Sequence, residues 1–313
     1  MTRAFVFPGQ GSQSVGMGRE LAANFASARE IFAEIDEALG QKLSQIIFEG
    51  PESDLTLTEN AQPALMAVSL AVLRVLEKEG GLDLSRAVAF VAGHSLGEYS
   101  ALAAARALAV ADAARLLRRR GQAMQLAAPV GAGAMAALLG LELDAAREIA
   151  AAAAEDQVCD AANDNAAGQV VVSGDKAAVD RAVALAASRG ARRSILLPVS
   201  APFHCALMAP AAAVMKEALA AIAIAPPVVP LIANVTAAPV SDPESIRAYL
   251  VAQVTGLVRW RESVIAMRSL GVDSLVEIGA GKVLAGLAKR IDREMIAVSI
   301  QGPADIEAFL KTV

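Results

Sequence analysis

Short, continuous apolar runs alternate along the chain with longer stretches whose apolar positions recur every three to four residues. Residues 3–7 (RAFVF) and 87–92 (AVAFVA) are such runs, each followed by turn-forming residues, which predicts strands buried on both faces. Helical periodicity follows the first run at about 18–39 and 61–78. It follows the second from Leu96 onward and again at about 110–127. Strands that alternate with helices in this way predict an α/β core with a largely parallel sheet.

Between about 128 and 198 the pattern changes. AMAALLG (134–140), VCDAAN (158–163), QVVVSG (169–174) and SILLPV (194–199) read as strands, with helical segments at 143–156 and 176–190. That order, βαββαβ, is the ferredoxin-like one. The breakers PVGAG precede it and the loop SAPFH follows it, which marks it as an insertion. The division expected is a catalytic core from 1–127 and 199–313 and a ferredoxin-like subdomain at 128–198. Downstream, helices near 209–223, 243–255, 260–270 and 282–292 and strands at 229–234, 273–279 and 295–300 complete the core.

Composition narrows the function. The chain of 313 residues is 55% apolar but only 4% aromatic, so alanine dominates and favours close helix packing. No apolar run nears the ~18 residues of a membrane span. The apolar stretch at the N-terminus is too short for a secretory signal, so a cytoplasmic location is expected. A net charge of −5 argues against a nucleic-acid partner. Cys159 and Cys205 form neither a metal-ligand spacing nor a disulfide framework. With only two histidines, His94 and His204, any mechanism that needs imidazole has few candidates.

Gly93-His94-Ser95-Leu96-Gly97 fits G-x-S-x-G between a strand and a helix, the context of a nucleophile elbow. Such a turn projects the serine hydroxyl above the sheet at a helix N-terminus, where a developing oxyanion would meet free N–H groups. A serine N-cap flanked by packing glycines would read the same way. A nucleophilic serine needs a base. His94 is its chain neighbour and is expected to pack beside the turn, which leaves His204, in VSAPFHC. No acid stands out to orient His204; a backbone carbonyl or an amide such as Gln253 could do so.

In DAARLLRRRGQAMQL, Ala113, Leu116, Leu117 and Met124 form one helical stripe, and Arg120 lies on it, whereas Arg118 and Arg119 point elsewhere. Arg120 either snorkels at the helix end or is held inward, and an inward guanidinium needs an anion. A substrate carboxylate would suit its fork. The loop FPGQGSQ (7–13) fits no phosphate-binding motif, and neither does EIGAGK (277–282). The first suits an oxyanion hole equally well.

Taken together, these segments resemble the malonyl-CoA:acyl-carrier-protein transacylases of type II fatty-acid synthesis. FVFPGQGSQ (5–13), ENAQPAL (59–65), GHSLGEYSAL (93–102), RRGQAMQ (119–125), GAGAMAALLG (131–140), NDNAAGQVVVSG (163–174), VSAPFHCALM (199–208) and EIGAGKVLAGL (277–287) carry the resemblance, in order and nearly end to end. Ala280 departs from it, standing where proline is usual. The resemblance implies a hydrolase-like core with a ferredoxin-like insertion. It further implies Ser95 as acyl-accepting nucleophile, His204 as base, the backbone N–H groups of Gln10 and Leu96 as oxyanion hole, and Arg120 as the holder of the malonyl carboxylate. Gln253 would help position the histidine, and Phe203 would restrict branched acyl groups. The expected partners are malonyl-CoA and an acyl carrier protein, with no cofactor, no metal and a monomeric chain.

A serine hydrolase on the same elbow would not need Arg120, and a non-catalytic carrier-protein docking module would form no covalent adduct. Carrier proteins are commonly acidic, so Arg189, Arg192, Arg193, Lys282, Lys289 and Arg293 are candidates for a basic docking face, alongside an ordinary solvated one.

Overall fold

The computed structural model of the chain describes residues 1–129 and 131–312; Val130, within the expected PVGAG boundary, lies outside the described residues. The strands are β1 (Arg3–Phe7), β2 (Phe90–Gly93), β3 (Gly133–Leu139), β4 (Cys159–Ala166), β5 (Gln169–Asp175), β6 (Arg193–Leu196), β7 (Leu231–Ile232), β8 (Pro239–Val240), β9 (Ser274–Ile278) and β10 (Ile296–Ile300). They form a six-stranded sheet in the order β10-β9-β1-β2-β7-β8 and a four-stranded sheet in the order β4-β5-β3-β6.

After Arg3, β1 is apolar and fully buried, because both faces of the larger sheet are covered. Phe5 and Phe7 point into one hydrophobic cluster, while Ala4 and Val6 point into another on the opposite face. Burying a phenylalanine fully stabilises the fold by about 1.5–3 kcal/mol. The pairs β1–β2, β1–β9, β9–β10 and β2–β7 are parallel; only β7–β8 is antiparallel. The register sets Phe7 opposite Gly93. The loops that leave β1 and β2 therefore emerge side by side at the carboxyl end of the sheet, where ligands of open α/β sheets bind.

The smaller sheet is antiparallel throughout, and its strands and helices follow one another along the chain as βαββαβ. Ala136, Leu138, Val170 and Val172 pack under the helices Leu143–Ala154 and Lys176–Ser188, whereas Met135, Ala137 and Val171 face the main cluster. Main-chain bonds tie β4 to the core: Val258 N donates to Ala162 O at 2.9 Å, and Asp164 N donates to Val258 O at 3.0 Å. Arg261 adds an ion pair to the buried Asp164 at 3.0 Å.

Departures from the expected elements are local. The helix expected at 18–39 is two, Arg19–Asn24 and Ala26–Leu39, because Phe25 is extended (φ −124°, ψ 125°). The strand expected at 229–234 shrinks to Leu231–Ile232, preceded by Pro230, which has no N–H for a ladder. Four short α-helices escaped the pattern, Leu43–Glu49, Glu52–Thr56, Leu84–Ala87 and Pro303–Leu310, as did the 3-10 turn Ala206–Met208 and the strand β8.

Candidate active site

Ser95 occupies the turn between β2 and the helix Gly97–Ala104 with φ of 54°, a left-handed conformation rare for a residue with a side chain. The glycines on either side permit it by close approach. A Cβ on Gly93 would collide with the Gly97 carbonyl, and one on Gly97 would collide with Phe7 O. Asn234, just beyond β7, clamps the turn. Its Oδ1 accepts from Ser95 N at 2.8 Å, and its Nδ2 donates to Gly93 O at 2.7 Å.

The Ser95 hydroxyl lies 2.8 Å from His204 Nε2. His204, also at positive φ (58°), comes from the loop after β6, as the sequence suggested. Its Nδ1 lies 2.8 Å from Gln253 O, a carbonyl, so Nδ1 carries the proton and Nε2 is left to accept from serine. Gln253 thus orients the imidazole through its main chain rather than its side-chain amide. Burial first, and then the Arg120 charge, depress His204 to about 3, so the ring is neutral at physiological pH. A hydroxyl held by a neutral imidazole can lose its proton as it attacks an acyl carbon.

Arg120 is turned inward and is 1% exposed. Its hydrogen bonds go to neutral groups: Nη1 to Gln62 Oε1 at 2.8 Å, and Nη2 to Gln253 Oε1 at 2.8 Å and to Ser95 Oγ at 3.1 Å. Nε has no partner among the described residues. A buried guanidinium without a direct counter-ion, touching the serine hydroxyl, is suited to an anionic group attached near that oxygen.

These side chains open into a cleft of about 760 Å³ that also takes in Gln10, Leu96, Phe203, His94, Met135 and Asn163. Gln10 follows β1, and Leu96 is the N-cap of helix Gly97–Ala104, so the register of β1 and β2 brings both beside Ser95. Phe203 walls the cleft next to His204. His94 turns away from the hydroxyl, with Nε2 2.9 Å from Asn165 Oδ1 and its ring against Trp260. Asn234, Gln62, Glu98 and Asn165 escaped the sequence reading. A lone carboxylate in the otherwise uncharged GEYSALAA was the one available signal among them.

The fold and this cleft place the chain among acyltransferases, and a family described as "Acyl transferase domain" matches residues 4–298. Within it, the chain belongs to the malonyl CoA-acyl carrier protein transacylases. It is 45% identical over 311 residues to the Bacillus subtilis protein of that name, covering 99% of this chain and 96% of that one. The crystal structure of an acyl-carrier-protein-S-malonyltransferase from Bartonella henselae superposes with a TM-score of 0.97 at 56% identity, covering 100% of this chain and 99% of that one. A malonyl-transacylase solved in complex with a type II PKS acyl-carrier protein is 40% identical, with a TM-score of 0.96 and 100% of both chains covered.

Proposed function

We propose that this chain moves a malonyl group from malonyl-CoA to the phosphopantetheine thiol of an acyl carrier protein, by way of a malonyl ester on Ser95. The observation that carries the reading is the meeting of two groups at one atom: Ser95 Oγ lies 2.8 Å from a neutral imidazole and 3.1 Å from a buried guanidinium.

In the first half-reaction His204 Nε2 takes the hydroxyl proton as Ser95 Oγ attacks the thioester carbon. Gln10 and Leu96 N–H groups receive the oxyanion. The carbon–sulfur bond then breaks, the coenzyme A sulfur takes the proton from His204, and the malonyl ester remains. In the second half-reaction the carrier's thiol gives its proton to His204 and attacks the ester carbon, and Ser95 leaves with that proton. This is ping-pong covalent catalysis. Arg120 holds the malonyl carboxylate, and Phe203 leaves little room for a branched acyl chain.

The reading uses no cofactor; among the described residues no three or more His, Cys, Asp or Glu side chains gather where they could hold a metal ion. No helix of the described residues is long and apolar enough to cross a membrane. As a separate part of the proposal, the enzyme acts in the cytoplasm as a monomer. The core of 1–127 and 199–313 would carry the reacting groups, and 128–198 would close over them. For carrier docking, Arg192, Arg193, Lys289 and Arg293 line one recess together with Arg290. Arg189 is paired with Glu148, and Lys282 lies at the opposite end of the helix Val283–Ile291, so both are weaker candidates.

Intact-mass spectrometry after addition of malonyl-CoA, and then of phosphopantetheinylated carrier protein, tests the reading. One malonyl should appear on Ser95 and move to the carrier. No adduct, or free malonate released as fast as coenzyme A with carrier present, would contradict it.

A further inference from the structure

Every residue of the helix Gly97–Ala104 is buried, and Glu98 is its one charged side chain. Two N–H donors converge on its carboxyl group. Asn234 N donates to Oε1 at 3.2 Å, and Gln253 Nε2 donates to Oε2. The same Gln253 amide accepts from Arg120 Nη2 through its oxygen. An amide thus stands between a carboxylate and a guanidinium, with its oxygen toward the cation and its N–H toward the anion. Arg120 has donors only, so it tolerates one orientation of that amide; ionised Glu98, an acceptor only, enforces the same orientation from the other side, together with Ser95 O, which accepts from Gln253 Nε2 at 2.9 Å. Asn234, the second group on Glu98, is the residue that clamps Ser95 N and Gly93 O.

We propose that Glu98 is a positioning residue for recognition of the acyl carboxylate: through Gln253 it aims the Arg120 guanidinium, and through Asn234 it steadies the serine turn. The inference rests on the malonyl-transfer reading and deepens it. It requires the ionised form, because a protonated carboxyl or an amide offers one good acceptor where two N–H groups meet. Either Gln253 would then turn an N–H toward Arg120, or Asn234 N would lose its partner.

Burial raises Glu98 to about 7, while the bonds from Gln253 and Asn234 and the Arg120 charge pull it down. The loss of its charge therefore falls near neutral pH. The titratable groups around this network are Arg120 of the helix Val110–Ala127, Tyr99 beside Glu98, and His204 and His94 at the serine. Arg120 remains a guanidinium. Burial pushes Tyr99 up and His94 down, and His204 stands at about 3.

The test measures the rate of Ser95 acylation by malonyl-CoA and by acetyl-CoA, in the wild type and in Glu98→Gln, from about pH 5.5 to 8.5. At the alkaline end the malonyl-to-acetyl ratio should be about 10- to 100-fold lower in the variant, the size of a lost hydrogen bond to a charged group. In the wild type the same ratio should fall as pH drops through about 7, and in the variant it should not depend on pH. A variant ratio equal to or above that of the wild type overturns the proposal, as does a wild-type ratio that stays level across the range. The wild-type profile decides the matter even where Glu98→Gln does not fold. A wild type that forms no malonyl ester refutes malonyl transfer itself and this inference with it; a wild type acylated with an unmoved ratio refutes only the role of Glu98.

Discussion

The two sheets meet at the cleft but bring different things to it. β1 and β2 are parallel, buried on both faces and locked in register from Ala4–Phe90 to Phe7–Gly93. Gln10 and Ser95, in the loops just beyond these strands, are placed by the register itself. β4 is antiparallel, has register shifts between Ala161 and Asn163 and between Asp164 and Ala166, and supplies Asn163 and Asn165 to the wall and to His94. A rigid parallel sheet thus fixes the nucleophile and the loop beside it, while an irregular strand of the other sheet shapes the space around them. Function has divided along the line between two ways of burying a strand.

That contrast breaks if changes on the parallel side are mild or changes on the antiparallel side are severe. Ser95→Ala should abolish the acyl-enzyme altogether, read by mass spectrometry of the peptide spanning β2 and its turn. His204→Ala should slow acylation by about 10²–10⁴-fold in rapid-quench assays, as expected for a lost general base. Asn165→Ala removes one hydrogen bond to His94 and should slow acylation only about two- to tenfold. Leu138→Ala, under the helices of the smaller sheet, should lower stability by about 2–5 kcal/mol in urea unfolding. It should leave the acylation rate of the folded enzyme unchanged.

The layout of strands and helices could be read from the chain because most of its elements are long, periodic and bounded by glycine or proline. RAFVF matched β1 residue for residue, since its four buried apolar residues run unbroken from Arg3 to the turn-forming Pro8. The four short helices have too few turns to show a period. The serine, the histidine and the inward arginine were legible because each is rare or out of place: a serine between glycines, one of two histidines, a cation on an apolar stripe. Their supports were not. Asn234 and Gln62 are common polar residues at ordinary positions, and only the crossing of β7 past β2, and of the helix Thr58–Lys78 past Val110–Ala127, gives them partners. Gln253 was anticipated as the partner of His204, but its main chain serves the histidine while its side chain serves Arg120 and Glu98.

The central claim is that a buried cation selects the acyl group by its free carboxylate while serine carries it. Pre-steady-state acylation of Arg120→Ala by malonyl-CoA and by acetyl-CoA tests it most directly. Malonyl transfer should fall on the order of 10²–10³-fold, the loss expected when one partner of a buried charge pair is removed, with a much smaller change for acetyl. An equal loss for both donors would contradict the account and leave Arg120 as a structural residue.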